Sequence, residues 1–222
     1  TTPWFPEEIP MTEAAERGTK KVMDDHSTVG VLVTTDGTIT DIPRADYVEA
    51  ERRAIADMQS AGKPFLVLVN SAQPQSESAQ ALCRQLESAS GAACMAVDCL
   101  TMDAAQILGI LSGLLQEFPL RELQCDLPGW LQALPDDHPL KTSLYAALRS
   151  CAQEIGRLRE AEPALRQLTA LDQVSQVEIS SVDPGNGTVR CELRCPETLF
   201  FSVLSDQSGL PLENDADLMQ TL

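Results

Sequence analysis

Residues 64–70 read Pro-Phe-Leu-Val-Leu-Val-Asn: five consecutive apolar side chains between a proline and an asparagine. A run this short and this continuous has no polar face. It predicts a strand covered on both sides, as in a parallel sheet. Two further runs repeat the pattern. Thr28–Thr35 (TVGVLVTT) leads into Asp36-Gly37, and Ala93–Asp98 (ACMAVD) follows a polar stretch. Segments of helical period alternate with them. Thr12–Asp25 predicts a helix with Thr12 as its cap and Ala15, Val22 and Met23 on one side. Ala45–Ala61 predicts a helix stopped by Gly62; Ser76–Ser90 and Asp103–Glu117 predict two more, the last with Thr101 as the capping candidate. Strand and helix in alternation predict an α/β fold with right-handed βαβ crossovers.

The pattern changes near Pro119. Leu120–Trp130 is a short extended stretch containing Pro128-Gly129. Leu140–Glu160 predicts a long helix, interrupted at Pro163. Val174–Val182 and Thr188–Cys195 predict two strands joined by the turn Asp183-Pro184-Gly185-Asn186-Gly187. Pro196 starts a helix through Leu204, and Glu213–Leu222 predicts another. The expected domains are therefore 1–120, α/β, and 121–222, a smaller α+β domain.

Charge excludes some function classes. There are 33 acidic and 16 basic residues, for a net charge of −17. Phosphate polymers need clustered Lys and Arg, so no nucleic-acid partner is expected. Direct docking on anionic lipid is excluded on the same ground. The seven cysteines are odd in number and scattered, which suggests neither a disulfide framework nor a zinc knuckle; reduced thiols in a cytoplasmic protein are expected. Thr1–Pro10 carries acids and prolines and has no signal-peptide core, and no apolar run reaches the roughly 20 residues of a membrane span. The first residue is Thr, not Met, as expected of a piece cut from a longer chain.

Ligands in open α/β sheets bind beyond the carboxyl ends of the strands, which singles out three tips. After the second strand comes Asn70-Ser71-Ala72-Gln73. P-loop GTPases carry Asn-Lys-x-Asp at this place, where the carboxylate accepts two guanine hydrogen bonds. Here Ser71 stands for the Lys and Gln73 for the Asp, so a base pocket built on Asn70 has no reason to prefer guanine. The plainer reading is that Asn70 ends a strand and caps a turn. After the first strand, Thr35 and Asp36 are candidates: a carboxylate there suits magnesium, base chemistry or a phosphoryl acceptor, the last echoed faintly by Lys63-Pro64. The plainer alternative is an Asx turn closed by Gly37. By topology, Asp98 and Cys99 at the third tip complete the set.

Other motifs are absent or bland. No G-x-x-x-x-G-K-[ST] phosphate loop occurs, and the one Gly-Lys pair, Gly62-Lys63, runs into Pro64. The two histidines, His26 and His138, have no G-x-S-x-G serine to serve. Cys191 and Cys195 lie four apart on a strand, where packing is the expected role. Glu49, Glu51, Arg52 and Arg53 read as a solvated helix face.

Longer strings carry a resemblance. Trp4–Pro10 (WFPEEIP), Glu13–Val22 (EAAERGTKKV), Asp25–Ile42 (DHSTVGVLVTTDGTITDI), Tyr47–Glu51 (YVEAE) and Gly62–Ser71 (GKPFLVLVNS) resemble the stage IV sporulation protein A family. The likeness is close to about residue 120 and looser through Phe118-Pro119, Leu127-Pro128, Trp130 and Ile155–Arg159. The resemblance implies a spore-coat morphogenetic ATPase, descended from translation-factor-like GTPases but using ATP and Mg. It implies a partial P-loop NTPase sheet over 1–120 and a middle domain over 121–222. It implies nucleotide-binding roles for Asn70, Ser71, Asp98 and Cys99. It also implies self-assembly into a homopolymer around the forespore in the mother-cell cytoplasm. Other coat proteins would be partners, and stage V sporulation protein M would make the membrane contact indirectly. The family's phosphate loop, switch threonines and metal-binding Asp would lie upstream of Thr1, and its C-terminal region downstream of Leu222. This chain alone is then expected to hold no catalytic residue, no metal and no bound nucleotide, and to bare one sheet edge and one apolar face. The alternative is a non-enzymatic scaffold module, with Leu140–Glu160 and the hairpin as contact surfaces.

Overall fold

The computed structural model describes residues 10–221. Residues 1–9, with most of the string Trp4–Pro10, and the terminal Leu222 lie outside them. The chain divides into two compact units, Thr1–Glu117 and Phe118–Leu222.

The first unit is α/β. Helix α1 (Met11–Lys21) runs into a π-helical turn, Val22–His26; then come β1 (Gly30–Thr35), α2 (Arg44–Ala61), β2 (Phe65–Asn70), α3 (Glu77–Ser90), β3 (Cys94–Val97) and α4 (Ala104–Gln116). The strands are ordered β1-β2-β3 and all parallel. The central strand β2 is buried along almost its whole length, as its unbroken apolar run requires. Val67 and Val69 face α2 and α3, packing with Ile55, Cys83 and Leu86. Leu66 and Leu68 face the other way, onto Ile110 and Leu114 of α4. Chain ends of helices are closed locally: Gly62 ends α2 in the left-handed region, and Ser76 caps α3 by accepting from the Ala79 amide.

Several expectations need correction here. Helix α1 starts after Pro10 and Thr12 lies inside it; Ala15 and Val22 are exposed, so that side is not a buried stripe. Strand β1 is not covered on both faces. Its burial alternates, with Val31 42% and Val33 55% exposed, because it is an edge strand and α4 lies over β2. The cap of α4 is Asp103, not Thr101: Asp103 accepts from the Gln106 amide, and the Gln106 side chain returns the bond to the Asp103 amide. Lys63 does not approach Asp36. It precedes β2 while Asp36 follows β1, at opposite ends of parallel strands. Its Nζ instead donates to the carbonyls of Met23, Asp24 and Ser27, satisfying the orphan acceptors where the π-helical turn ends.

The second unit is α+β: β4 (Glu122–Asp126), α5 (Gly129–Gln132), α6 (Pro139–Glu154), α7 (Leu158–Gln167), β5 (Gln176–Asp183), β6 (Thr188–Arg194), α8 (Glu197–Ser208) and α9 (Asp215–Thr221). The hairpin β5–β6 is antiparallel, and β4 adds to β6 in parallel, giving the order β4-β6-β5. One face of β6 (Val189, Cys191, Leu193) is buried with Leu144 and Leu148 of α6 and Leu158 and Leu165 of α7. The predicted long helix breaks at Gly156, and Pro163 sits inside α7. The reason is backbone pairing. The Gly156 carbonyl accepts from the Leu120 amide at 3.1 Å and the Leu158 amide donates to the Phe118 carbonyl at 3.0 Å, so these groups are lost to a continuous helix. Gly187 closes the hairpin at φ 69°, where a Cβ would come within 2.7 Å of the Pro119 carbonyl oxygen. His138 caps α6, its Nδ1 accepting from the Leu140 amide.

Candidate functional site

The parallel register places three strand tips at one level. Thr35 pairs with Asn70, and Asn70 with Val97. Thr35–Asp36, Asn70–Ser71 and Asp98–Cys99 therefore leave the same end of the same sheet.

Side chains tie the three loops into a continuous rim. At the first tip, Asp36 Oδ1 accepts from the Thr38 amide at 3.0 Å and the Thr38 hydroxyl at 2.6 Å, an Asx turn. Buried Thr35 accepts from the Gly37 amide at 3.0 Å. Gly37 itself sits at φ 89°, and a Cβ there would meet the Arg44 amide nitrogen at 3.1 Å, so the loop folds back tightly on the start of α2. Thr38 then crosses to the second loop, its Oγ1 accepting from the Ala72 amide at 2.9 Å. Asn70 crosses to the third: its Oδ1 accepts from the Cys99 amide at 3.0 Å. Asp98 closes that loop on itself, accepting from the Leu100 amide at 2.9 Å and the Thr101 hydroxyl at 2.8 Å.

Each candidate has a definite station. Asn70 is half-buried, with its carbonyl oxygen committed to Cys99; its Nδ2 has no partner among the described residues. Ser71 is fully buried, and its Oγ accepts from the Gln73 amide at 3.0 Å, so it supports the rim from beneath. Cys99 enters through its backbone N–H, while its side chain is exposed. Thr38 escaped the sequence reading; a hydroxyl two positions after an Asp in Asp-Gly-Thr is the signal that marks it. Glu51 was misplaced by that reading. Its side chain is only 6% exposed and pairs at 2.7 Å with Arg44, whose other nitrogen reaches Thr34 at 3.5 Å.

Electrostatics favours ionised carboxylates at the rim. For Asp36, partial burial pushes the pKa up, but hydrogen bonds from Ser71 and Thr38 outweigh it and hold the carboxyl below its ordinary value. The Thr101 hydroxyl, helped by the Leu100 amide, depresses Asp98 in the same sense. Depressed carboxylates stabilise the folded state above the unfolded pKa, and that contribution is lost as pH falls through the folded value. Acidification below the ordinary carboxylate range should therefore loosen the three loops first. The check is amide hydrogen exchange at Thr38 and Leu100 against pH; protection independent of pH, or unaffected by Asp36→Asn, contradicts it.

What this rim accommodates is limited by what it offers. An unpartnered amide donor suits a purine N7, an acceptor common to adenine and guanine. Nothing at the rim suits a triphosphate: no phosphate loop occurs in the sequence. Among the described residues no group of three His, Cys, Asp or Glu converges as a metal site. A polar cleft also lies on the second unit, lined by Arg121, Glu122, Gln124, Asp183 and Arg190. Its two cations are matched by two carboxylates, and Arg190 is already held by Gln124 at 2.8 Å, so it is a weaker candidate than the rim. Among the described residues no helix is long and apolar enough to cross a membrane.

Comparison with known proteins agrees in two independent segments. Residues 1–119 match the family model for the stage IV sporulation protein A ATPase domain, and residues 120–222 match the model for the middle domain of the same protein. Stage IV sporulation protein A of Bacillus subtilis is 33% identical over 221 residues, and those of Clostridioides difficile and Bacillus anthracis are 33% identical over 222 and 221 residues. Each match covers 100% of this chain and 45% of the relative, so the chain spans about half the length of these curated proteins. No solved structure matches. With both of its units matched by models from one protein, the chain belongs to the stage IV sporulation protein A family.

Proposed function

We propose that residues 1–120 form the base-side half of an ATP-hydrolysing P-loop domain of a sporulation protein, with the triphosphate held by polypeptide outside these 222 residues. One observation carries the reading: Asn70 bridges the second and third strand tips through its oxygen and leaves its Nδ2 donor free beside them. The name of the matching model, an ATPase domain, supports the same reading. In this reading Asn70 donates to purine N7, Ser71 and Thr38 brace the loops, Asp98 and Cys99 form the far wall, and Thr35 and Asp36 border the base. Neutral Gln73, in place of a guanine-binding carboxylate, removes the preference for GTP. The uncovered valines on β1 suit further sheet and helix packing against that strand.

Magnesium and the phosphate chemistry belong to the absent cradle, which supplies most of the affinity in such sites. The 222-residue chain alone should show neither turnover nor tight ATP binding. In the whole protein the reading extends to ATP-driven self-assembly around the forespore. The middle domain, stage V sporulation protein M and other coat proteins would make the contacts there. The discriminating variant is Asn70→Asp, which keeps an acceptor for the Cys99 amide and exchanges the donor for a charged carboxylate oxygen that repels a purine N7. In the full-length protein it should weaken ATP binding about tenfold, worth roughly 1.4 kcal/mol, without lowering thermal stability. Unchanged ATP affinity would sink the assignment of Asn70 to the base.

A further inference from the structure

In the second unit, β4 and β6 run in parallel with Cys125 directly opposite Cys191, and their Sγ atoms stand 3.0 Å apart. Cys191 is fully buried and Cys125 half-buried, both on the apolar side of the sheet that faces α6 and α7. The strands themselves supply the geometry. Neighbours in a sheet lie about 4.8 Å apart, inside the span of about 4.4–6.8 Å between Cα atoms that a disulfide needs. Closing the bond brings the two sulfurs about 1 Å nearer. Among the described residues no third and fourth ligand converge to make the pair a metal site.

We propose that Cys125 and Cys191 are a redox modification site, closing to a disulfide when the protein meets hydrogen peroxide, a two-electron oxidant. The step balances. The half-exposed Cys125 sulfur attacks one peroxide oxygen, breaking the O–O bond and leaving a sulfenic acid and one water. The Cys191 sulfur then attacks Cys125, the S–O bond breaks, and a second water departs. Two thiols are oxidised, and one peroxide is reduced to two waters. Access sets this order, because Cys125 is the half-exposed sulfur; contact with Cys191 and burial raise its pKa, and the same contact lowers that of Cys191, so the attack is slow at neutral pH. Such a bond spans 66 positions of chain and fastens the edge strand β4 to the central strand of its sheet. Cross-linking so long a loop restricts the unfolded chain strongly, so oxidation should harden this unit against unfolding.

The seven thiols provide an internal control. Cys83 and Cys94 lie in the core of the first unit, where burial raises both pKa values. Cys99 is exposed and alone. The experiment is limited hydrogen peroxide treatment of the purified 222-residue chain, followed by intact mass and non-reducing peptide mapping. The expected result is loss of two hydrogens, a Cys125–Cys191 linked peptide and a higher urea midpoint, all reversed by dithiothreitol. Cys125→Ala, which keeps the position apolar, should abolish the link and the shift; Cys83→Ser should leave both. A link at Cys83–Cys94 instead, sulfinic acid at Cys99 with Cys125 and Cys191 still free, or a link without a midpoint shift would each overturn the proposal.

Discussion

Leu66→Ala should lower the unfolding free energy by about 3 kcal/mol, read as a fall in the urea midpoint with little change in slope. Leu66 is completely buried in β2, the central strand, and packs with Leu68, Val97, Ile110 and Leu114. With Leu68 and Val97 it holds α4 to the sheet. Truncation removes transfer free energy and leaves a cavity, because Leu68 and Ile110 are fixed by their own elements and close the space only in part. Leu66→Met, which keeps the volume, should cost less than about 1.5 kcal/mol. Equal losses for the two variants would mean that α4 is not packed on this face.

Arg44→Ala should be comparably damaging, about 3 kcal/mol, although Arg44 looks like an ordinary residue at the start of a surface helix. The reason is its partner. Glu51 is almost wholly buried and bonds Arg44 through one oxygen; its other oxygen has no hydrogen-bond partner. Removing the guanidinium strands a carboxylate in the protein interior. The double variant Arg44→Met with Glu51→Leu should recover most of that loss, since an apolar pair of similar size needs no solvation. A double-mutant cycle by urea denaturation measures the coupling. Additive losses from the two single variants would show that the pair is solvated, as its charge pattern alone suggests.

Apolar runs were the most legible signal. Residues 65–69 were recognisable because a strand segment buried on both faces leaves no polar residue in its sequence. Helix ends closed by glycine were legible for a similar reason: Gly62 takes a left-handed conformation that few other residues adopt cheaply. Ends closed by reciprocal side chains were less so, and Thr101 stood in for Asp103 because both precede the same helix. The rim was visible only as three separate tips. That Asn70 reaches Cys99, and Thr38 reaches Ala72, depends on strand order and register, which local spacing does not encode.

The amino-acid sequence on its own determined the three strands of the first unit and their direction: short apolar runs alternating with helices make parallel crossovers. Tertiary structure alone decided which apolar residues remain uncovered, as Val31 and Val33 do; which charged residue is buried, as Glu51 is; and which cysteines meet, as Cys125 and Cys191 do. The division has a physical cause. Backbone hydrogen bonding and side-chain period act over a few residues and leave their mark in local order. Burial, ion pairing and thiol contact depend on what another, distant segment places alongside.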